Sequence, residues 1–387
     1  MTTENIFDPR LYADVRRPLP EARTLPRWCY LSDVFHQREI DRIFLKTWNF
    51  IDRIDAVPNP GDYIAVDTFA GPVIVLRDRG RTLRAFANTC RHRGSRLLVG
   101  TGNCRGIVCP YHSWTYGLDG ALLGAKGMER TAGFDRSQYG LKPIRLETWG
   151  GFIFINFDAR AEGLLEYLGE LPRKFASYKF DDMVCTRRSE YEIACNWKLI
   201  IENAHEDYHT QTVHRTSLGN QVTEPEASPV GNWDALFLPL ETSVAVLPGE
   251  PAPFPHIPAL EGKLAHGTYF TLLHPATQFA CVQDCMWWLR VTPLGPTACR
   301  LNVGFCFPKT TAARPDFAQE VEAYYRRWDI GIAEDNSTGT LQQAGLRSPF
   351  YEPGPLSWKE PKVQSIALWI LDRVLDDPAT LSSRAAE

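Results

Sequence analysis

Cys90-Arg91-His92 and, sixteen residues later, Cys109-Pro110-Tyr111-His112 set the reading of this chain. Each pair joins a thiolate to an imidazole, so two neighbouring loops can aim four ligands at one inorganic centre. A structural zinc site usually draws each half from one residue type, as Cys-x-x-Cys or His-x-x-x-His. Mixed halves suit a dinuclear centre with two thiolates on one metal and two imidazoles on the other. A [2Fe–2S] cluster of the Rieske type is built this way, which raises its potential above that of an all-cysteine ferredoxin. A Cys2His2 zinc site is the alternative. The run Ser113-Trp114-Thr115-Tyr116-Gly117-Leu118-Asp119-Gly120 then reads as a strand closed by an Asp-Gly hairpin turn. The expected unit is an electron-transfer domain.

Its neighbours agree. Val73 to Arg77, the turn Asp78-Arg79-Gly80 and Leu83 to Asn88 predict a hairpin leading into Cys90. Gly94, Gly100, Gly102 and Gly106 suit tight loops between the ligand pairs. Gly151-Phe152-Ile153-Phe154-Ile155-Asn156-Phe157 reads as a buried strand that closes the unit, which places the first domain at residues 45–157. Ser32 to Asn49 has helical spacing. Residues 1–44 and 158–387 are assigned to a second domain of mixed α and β texture, so the fold class is α+β. There Lys198 to His209 and Phe317 to Leu346 read as helices, and Met286 to Pro293 and Leu301 to Phe307 as antiparallel strands. Residues 219–262, rich in Pro, Gly and Ser, predict an irregular lid or trimming loop.

Composition excludes several classes. The apolar content of 44% and charged content of 23% are those of a globular protein. A formal charge of −4 gives no basic patch for nucleic acid. Met1 to Arg10 lacks the apolar core of a signal peptide, and no apolar run reaches the roughly 18–20 residues of a membrane span. The ten cysteines are fewer per residue than in a disulfide scaffold. Apart from Cys90 and Cys109 they read as buried apolar fillers, with Cys104 the strongest exception. A cytoplasmic location fits free thiols and an iron cluster.

Three of the nine histidines, His205, His209 and His214, fall within Glu202 to His214. His205-Glu206-Asp207-Tyr208-His209 is literally the HExxH of zinc peptidases, in which Glu206 is the general base. The competing reading takes His209, His214 and a distant carboxylate as the two-His-one-carboxylate set of non-haem Fe(II) oxygenases. Only this one gives an electron-transfer domain a purpose. His214 lies about 140° from His209 on a regular helix, so the helix is expected to end or bulge among Thr210, Thr212 and Val213. The third ligand follows from periodicity. Pro315-Asp316, with Gln319 three residues on, reads as a helix start. Val321, Tyr324, Tyr325, Trp328 and Ile332 form an apolar stripe that Asp335 continues, about 40° from its centre, whereas Glu334 points about 140° away. A carboxylate on an apolar face needs a metal or an ion pair. Asp335 is therefore the expected ligand, and Glu334 the outer residue.

With these residues in view, the chain resembles the α subunits of Rieske-type ring-hydroxylating oxygenases over essentially its whole length. The matching motifs are Cys90-x-His92-Arg93-Gly94, Cys109-Pro110-Tyr111-His112, Asn196-Trp197-Lys198, Glu206-x-x-His209-x4-His214 and Glu334-Asp335. The resemblance implies a Rieske β-sandwich domain beside a helix-grip catalytic domain, an antiparallel sheet with a long C-terminal helix. It implies one [2Fe–2S] cluster on Cys90, His92, Cys109 and His112, and one mononuclear Fe(II) on His209, His214 and Asp335. It also implies a homotrimer in which Glu206 links His209 to His112 of the next subunit. Ser113 stands where many members have Gly, and its hydroxyl can tune the cluster potential. Glu206, where members acting on arenes often have Asp, resembles the branch that handles choline, betaines and carnitine. A cation of that kind needs an aromatic cage, for which Trp233, Tyr269, Phe270, Trp287 and Trp288 are the candidates.

No Gly-x-Gly-x-x-Gly occurs, so a separate NAD(P)H-dependent reductase, with or without a ferredoxin, is the expected partner, alongside O2 and a small organic substrate. The expected activity is hydroxylation, or demethylation through hydroxylation. The alternatives are oxygenation of an aromatic acid, an HExxH zinc peptidase and a non-catalytic electron carrier.

Overall fold

The computed structural model describes residues 5–228 and 230–375. Residues 1–4, 229 and 376–387, which the expected second domain included, lie outside the described residues. The chain divides into two compact units, one of Leu45–Leu165 and one of Met1–Phe44 with Glu166–Glu387.

In the first unit, a seven-stranded antiparallel sheet runs Asn49–Arg53, Phe152–Asn156, Pro143–Trp149, Leu83–Ala87, Gly71–Arg77, Asp62–Thr68, Thr101–Asn103. A small sheet, Ile107–Val108, Thr115–Tyr116 and Leu122–Gly124, carries the loop that holds Cys109 and His112. The apolar run Val73-Ile74-Val75-Leu76 explains the layering. Val73 and Val75 pack into a core with Ile64, Ile153 and Ile155, while Ile74 and Leu76 pack with Trp114, Tyr116, Cys90 and Cys109. A strand buried on both faces reads as continuous hydrophobicity rather than alternation. The unit extends to Leu165 because residues after Asn156 fold back on it. Trp48 Nε1 donates to the Glu162 carbonyl (3.1 Å), Arg145 to that of Ala161, and the Leu164 N–H to Glu147 (2.9 Å).

The second unit holds another seven-stranded antiparallel sheet. Its order is Met183–Ile193, Ala298–Pro308, Met286–Gly295, Thr277–Cys281, Gly267–Leu273, Trp233–Pro239, Glu224–Ala227. The last two strands correct the expectation that residues 219–262 are irregular throughout. Their Pro, Gly and Ser lie mainly outside two short strands, and Trp233–Pro239 is buried over its first six residues. The long helix Glu322–Leu346 packs on this sheet through the predicted stripe. Trp328 meets Trp287 edge-on at 4.0 Å, Tyr325 meets Phe305 at 5.3 Å and Tyr324 meets Phe307 at 5.3 Å. A separate turn, Phe317–Glu320, precedes it, and Asp316 does not cap it with its side chain. That carboxylate is held by Arg314 instead, at 2.6 and 2.9 Å. No described helix is long and apolar enough to cross a membrane.

Candidate metal centres and active-site cavity

The Cys90–Gly94 and Cys109–Ser113 loops share one geometry. The Cys90 carbonyl accepts the Gly94 N–H and the Cys109 carbonyl accepts the Ser113 N–H, each at 3.0 Å. Both closing residues have left-handed backbone, φ +74° at Gly94 and +57° at Ser113. A side chain there is unfavourable, which accounts for glycine as the commoner choice and makes Ser113 the departure. Cys90 and Cys109 are buried, while His92 and His112 are exposed at the tip, their ring centroids 4.7 Å apart. His92 stacks on the buried Trp114 at 4.9 Å, and the Tyr116 hydroxyl stands 3.3 Å from Cys90 Sγ. Burial raises the Cys109 pKa, but hydrogen bonds from the N–H groups of Tyr111 and His112 and from Cys90 and Ser95 together outweigh it, and the net shift is downward. A thiolate is the form that binds metal. Buried sulfurs and exposed imidazoles fit a [2Fe–2S] cluster whose histidine side faces out.

The second centre depends on where a helix stops. Asn196 caps Trp197–Asn203, its Oδ1 accepting the Lys198 N–H at 3.0 Å. The helix ends at Asn203, six residues short of the expected His209, and the break precedes His209 rather than following it. Glu206 and Asp207 explain the break by offering competing hydrogen bonds. Glu206 Oε2 accepts the His209 N–H (3.0 Å), the Asp207 carbonyl accepts the Thr210 hydroxyl (2.8 Å), and Asp207 Oδ2 accepts the Thr223 N–H (2.6 Å). A single helical turn, Thr210–Val213, then carries the β-branched residues and sets His209 and His214 at its two ends.

His209, His214 and Asp335 converge, with one ligand atom from each lying within 4.8 Å of the others. His214 Nε2 is 3.1 Å and His209 Nε2 3.7 Å from Asp335 Oδ1, which is buried and accepts no hydrogen bond. Each ring's other nitrogen is occupied. His209 Nδ1–H donates to Glu206 Oε1 (2.6 Å) and His214 Nδ1–H to Glu334 Oε2 (2.7 Å). Carboxylates on Nδ1 fix the tautomer and turn Nε2 toward a metal. Ligands about 2.1 Å from a divalent ion stand roughly 3–4 Å apart, so these residues fit a mononuclear Fe(II). Burial pulls the His214 pKa down, but Asp335 and Glu334 outweigh it and raise it. Metal therefore competes with a proton at this ring.

Glu334 is the main correction. Its long side chain swings from the outer helix position onto His214, where it also accepts the Ser217 hydroxyl at 2.6 Å. A phase argument tracks Cβ and ignores a reach of three more bonds. A signal was available in chemistry: a histidine that binds metal through one nitrogen usually donates the other to a carboxylate, carbonyl or water, and Glu206 could serve only one of the two. His205, the first histidine of HExxH, lies outside the cluster. Its Nδ1 is 3.2 Å from the Ile201 carbonyl, and burial pushes its pKa down to about 3. The zinc-peptidase geometry is absent among the described residues.

His209, His214 and Asp335 border a cavity of about 110 Å³ walled by Leu236, Phe270, Phe279, Trp287 and Trp328. Of the five expected cage aromatics only Phe270 and Trp287 line it. Tyr269 and Trp233 instead flank the Lys174 ammonium, which is 4.0 and 5.7 Å from their centroids, and Trp288 packs over Gly304 in the next strand. Arg327, which sequence reasoning passed over, lines it as well.

Comparison with known proteins agrees with this geometry. Residues 180–376 match the ring hydroxylating alpha subunit (catalytic domain) family, and residues 47–135 match the Rieske [2Fe-2S] domain. The glycine betaine monooxygenase oxygenase subunit of Pseudomonas aeruginosa is 29% identical, over 94% of this chain and 92% of its own. The carnitine monooxygenase oxygenase subunit of Escherichia coli K12 is 34% identical over 55% of this chain and 58% of its own. The crystal structure of the quaternary ammonium Rieske monooxygenase CntA superposes with a TM-score of 0.78 at 23% identity, covering 93% of this chain and 97% of that one. A Rieske domain followed by a catalytic domain with its own iron site is the organisation of a terminal oxygenase, and the chain belongs to the ring-hydroxylating oxygenase α subunits.

Proposed function

We propose that Cys90, His92, Cys109 and His112 hold the cluster, that His209, His214 and Asp335 hold the iron, and that the substrate is a small N-methylated ammonium compound. The observation that carries the reading is the pair of carboxylates, Glu206 and Glu334, on the far nitrogens of two histidines whose near nitrogens face Asp335. Two neutral imidazoles and one carboxylate leave coordination positions open beside an apolar cavity. Fe(II) held by these three residues would, with O2, two electrons from a reductase and two protons, supply the chemistry that converts a C–H bond into C–OH with the second oxygen atom leaving as water. Glu206 orients His209, and Glu334 orients His214. Leu236, Phe270 and Phe279 limit water at the reacting carbon, and the rings of Phe270 and Phe279 suit a methylated ammonium. Hydroxylation of an N-methyl carbon then releases the methyl group as an aldehyde. The relatives' names and the Glu206 motif support this substrate class. The reading includes a cytoplasmic homotrimer in which Glu206 of one subunit approaches His112 of the next.

Metal analysis tests it. Anaerobically purified protein is expected to contain two iron and two acid-labile sulfide for the cluster, plus one further iron per chain. Cys109→Ala should lose the sulfide and keep the single iron. One zinc per chain without sulfide would refute the oxygenase reading. Glu334→Gln should weaken iron binding about 10–100-fold, the usual cost of removing a carboxylate behind a ligating histidine, with cluster content unchanged. An iron titration checks this, and unchanged affinity would reduce Glu334 to a surface acid.

A further inference from the structure

Arg327 stands on the long helix two turns before Asp335, only 5% exposed, at the wall of the cavity beside the iron ligands. Its guanidinium has no hydrogen-bond or ion-pair partner among the described residues, and its Nε is buried without one. Two rings flank it, with Cζ 5.0 Å from the Trp328 centroid and 5.5 Å from that of Trp287. Such contacts offset only part of the cost of removing a cation from water. Burial pushes its pKa down to about 10, which leaves it charged at neutral pH. The acids nearest to it are committed elsewhere, Asp335 to the ligand cluster and Glu334 to His214 and Ser217.

Gly331 shows which way the group lies. A Cβ built on it would stand 3.7 Å from Arg327 Nη1. The guanidinium therefore lies along the helix toward Asp335, which is one turn, about 6 Å, beyond Gly331. A planar fork with free donors is suited to a carboxylate gripped by two hydrogen bonds. We propose that Arg327 binds a carboxylate of the substrate, so that the enzyme takes short carboxylate-bearing molecules, betaine-type zwitterions first among them, in preference to the corresponding alcohols. This rests on the iron site proposed above, from which the reach to the reacting carbon is counted. A carboxylate on Arg327 and a methyl group beside Asp335 are separated by only a few bonds, which suits a small zwitterion. Arg327 takes a place beside Trp287 and Trp328, which leaves Phe270 and Phe279 for the ammonium group.

Calorimetric titration of the metal-loaded protein with glycine betaine against choline, and with benzoate against benzyl alcohol, tests the proposal without turnover. In at least one pair the carboxylate is expected to bind about tenfold or more tightly, the scale of a charge-assisted hydrogen-bond pair. Arg327→Gln should abolish that preference and Arg327→Lys should keep part of it. The Arg327→Gln melting temperature should stay level or rise, because an unpaired buried charge is gone. No carboxylate preference in either pair, or one that survives in Arg327→Gln, overturns the proposal. So does a lowered melting temperature with all ligands weakened alike, which assigns Arg327 to packing. Iron and sulfide are measured on the same samples. A fully loaded protein without the preference fails this inference alone, whereas absent metals fail the oxygenase reading.

Discussion

His214→Ala is expected to leave the [2Fe–2S] cluster intact and to abolish mononuclear iron binding, with turnover below detection. The substitution removes one of the three proposed ligands and also strands Glu334, whose Oε2 loses the imidazole it holds at 2.7 Å. Asp335 Oδ1, 3.1 Å from the same ring, loses a neighbour too. Two remaining ligands with two uncompensated carboxylates nearby cannot fix a coordination geometry. His205→Ala is the matched control because His205 carries the other half of the HExxH coincidence. That ring is buried and kept neutral by its surroundings, so its loss should cost stability, about 1–3 kcal/mol for a buried polar side chain, and leave most of the iron. Iron content and thermal midpoint, measured on both variants, separate the two roles. Iron lost from His205→Ala and retained in His214→Ala would reverse the ligand assignment.

What the sequence made legible was whatever local chemistry or periodicity encodes. Cys90, His92, Cys109 and His112 declare a mixed-ligand cluster because few other arrangements use such pairs. The stripe Val321 to Ile332 predicts Asp335 because burial repeats with the helical period, and all five stripe residues are indeed buried. Side-chain length and long-range pairing were not legible. Glu334 defeats a phase argument by reaching round the helix. The end of Trp197–Asn203 depends on Asp207 finding Thr223 sixteen residues on and Lys359 at 3.0 Å, a long way along the chain. Arg327 was hidden for a related reason: on the sequence it is one of two adjacent arginines, Arg326 and Arg327. Only the fold shows that Arg326 pairs with Glu250 at 2.6 Å while Arg327 turns inward without a partner. The cage aromatics were overcounted because strand residues alternate between faces, so neighbours such as Tyr269 and Phe270 cannot serve one cavity together.

Glu206→Gln is expected to keep both metals and disconnect them. Glu206 gives one oxygen to His209 Nδ1 at 2.6 Å and the other to the His209 N–H at 3.0 Å. A carboxylate offers about four acceptor positions, so two remain for a donor arriving from outside the chain. An approach exists: Glu206 and His209 also border a second cavity, of about 470 Å³, lined by Tyr351 and Glu360. The ring that should arrive is His112 of a neighbouring subunit, exposed at the tip of its own cluster loop. Glutamine preserves length and one acceptor oxygen but replaces the other with an NH2 that can only donate, which halves the acceptor positions available to His209 and an arriving imidazole N–H. In single turnover with substrate and O2, the reduced cluster of Glu206→Gln should reoxidise about 10–100-fold more slowly than in the unaltered protein, the usual cost in activity of removing a carboxylate behind a metal-ligating histidine. Sulfide content should be unchanged, and iron should load fully when supplied in excess, with its affinity lowered as in Glu334→Gln. Mixed oligomers then decide whether the route crosses subunits. Cys109→Ala supplies chains without a cluster and His214→Ala chains without iron, and each is inactive alone. Co-assembled, a cluster from one chain and an iron from the other meet across an interface, and part of the activity should return. Assembled mixtures that stay inactive would confine the electron path to a single chain and leave Glu206 as a positioning residue for His209 alone.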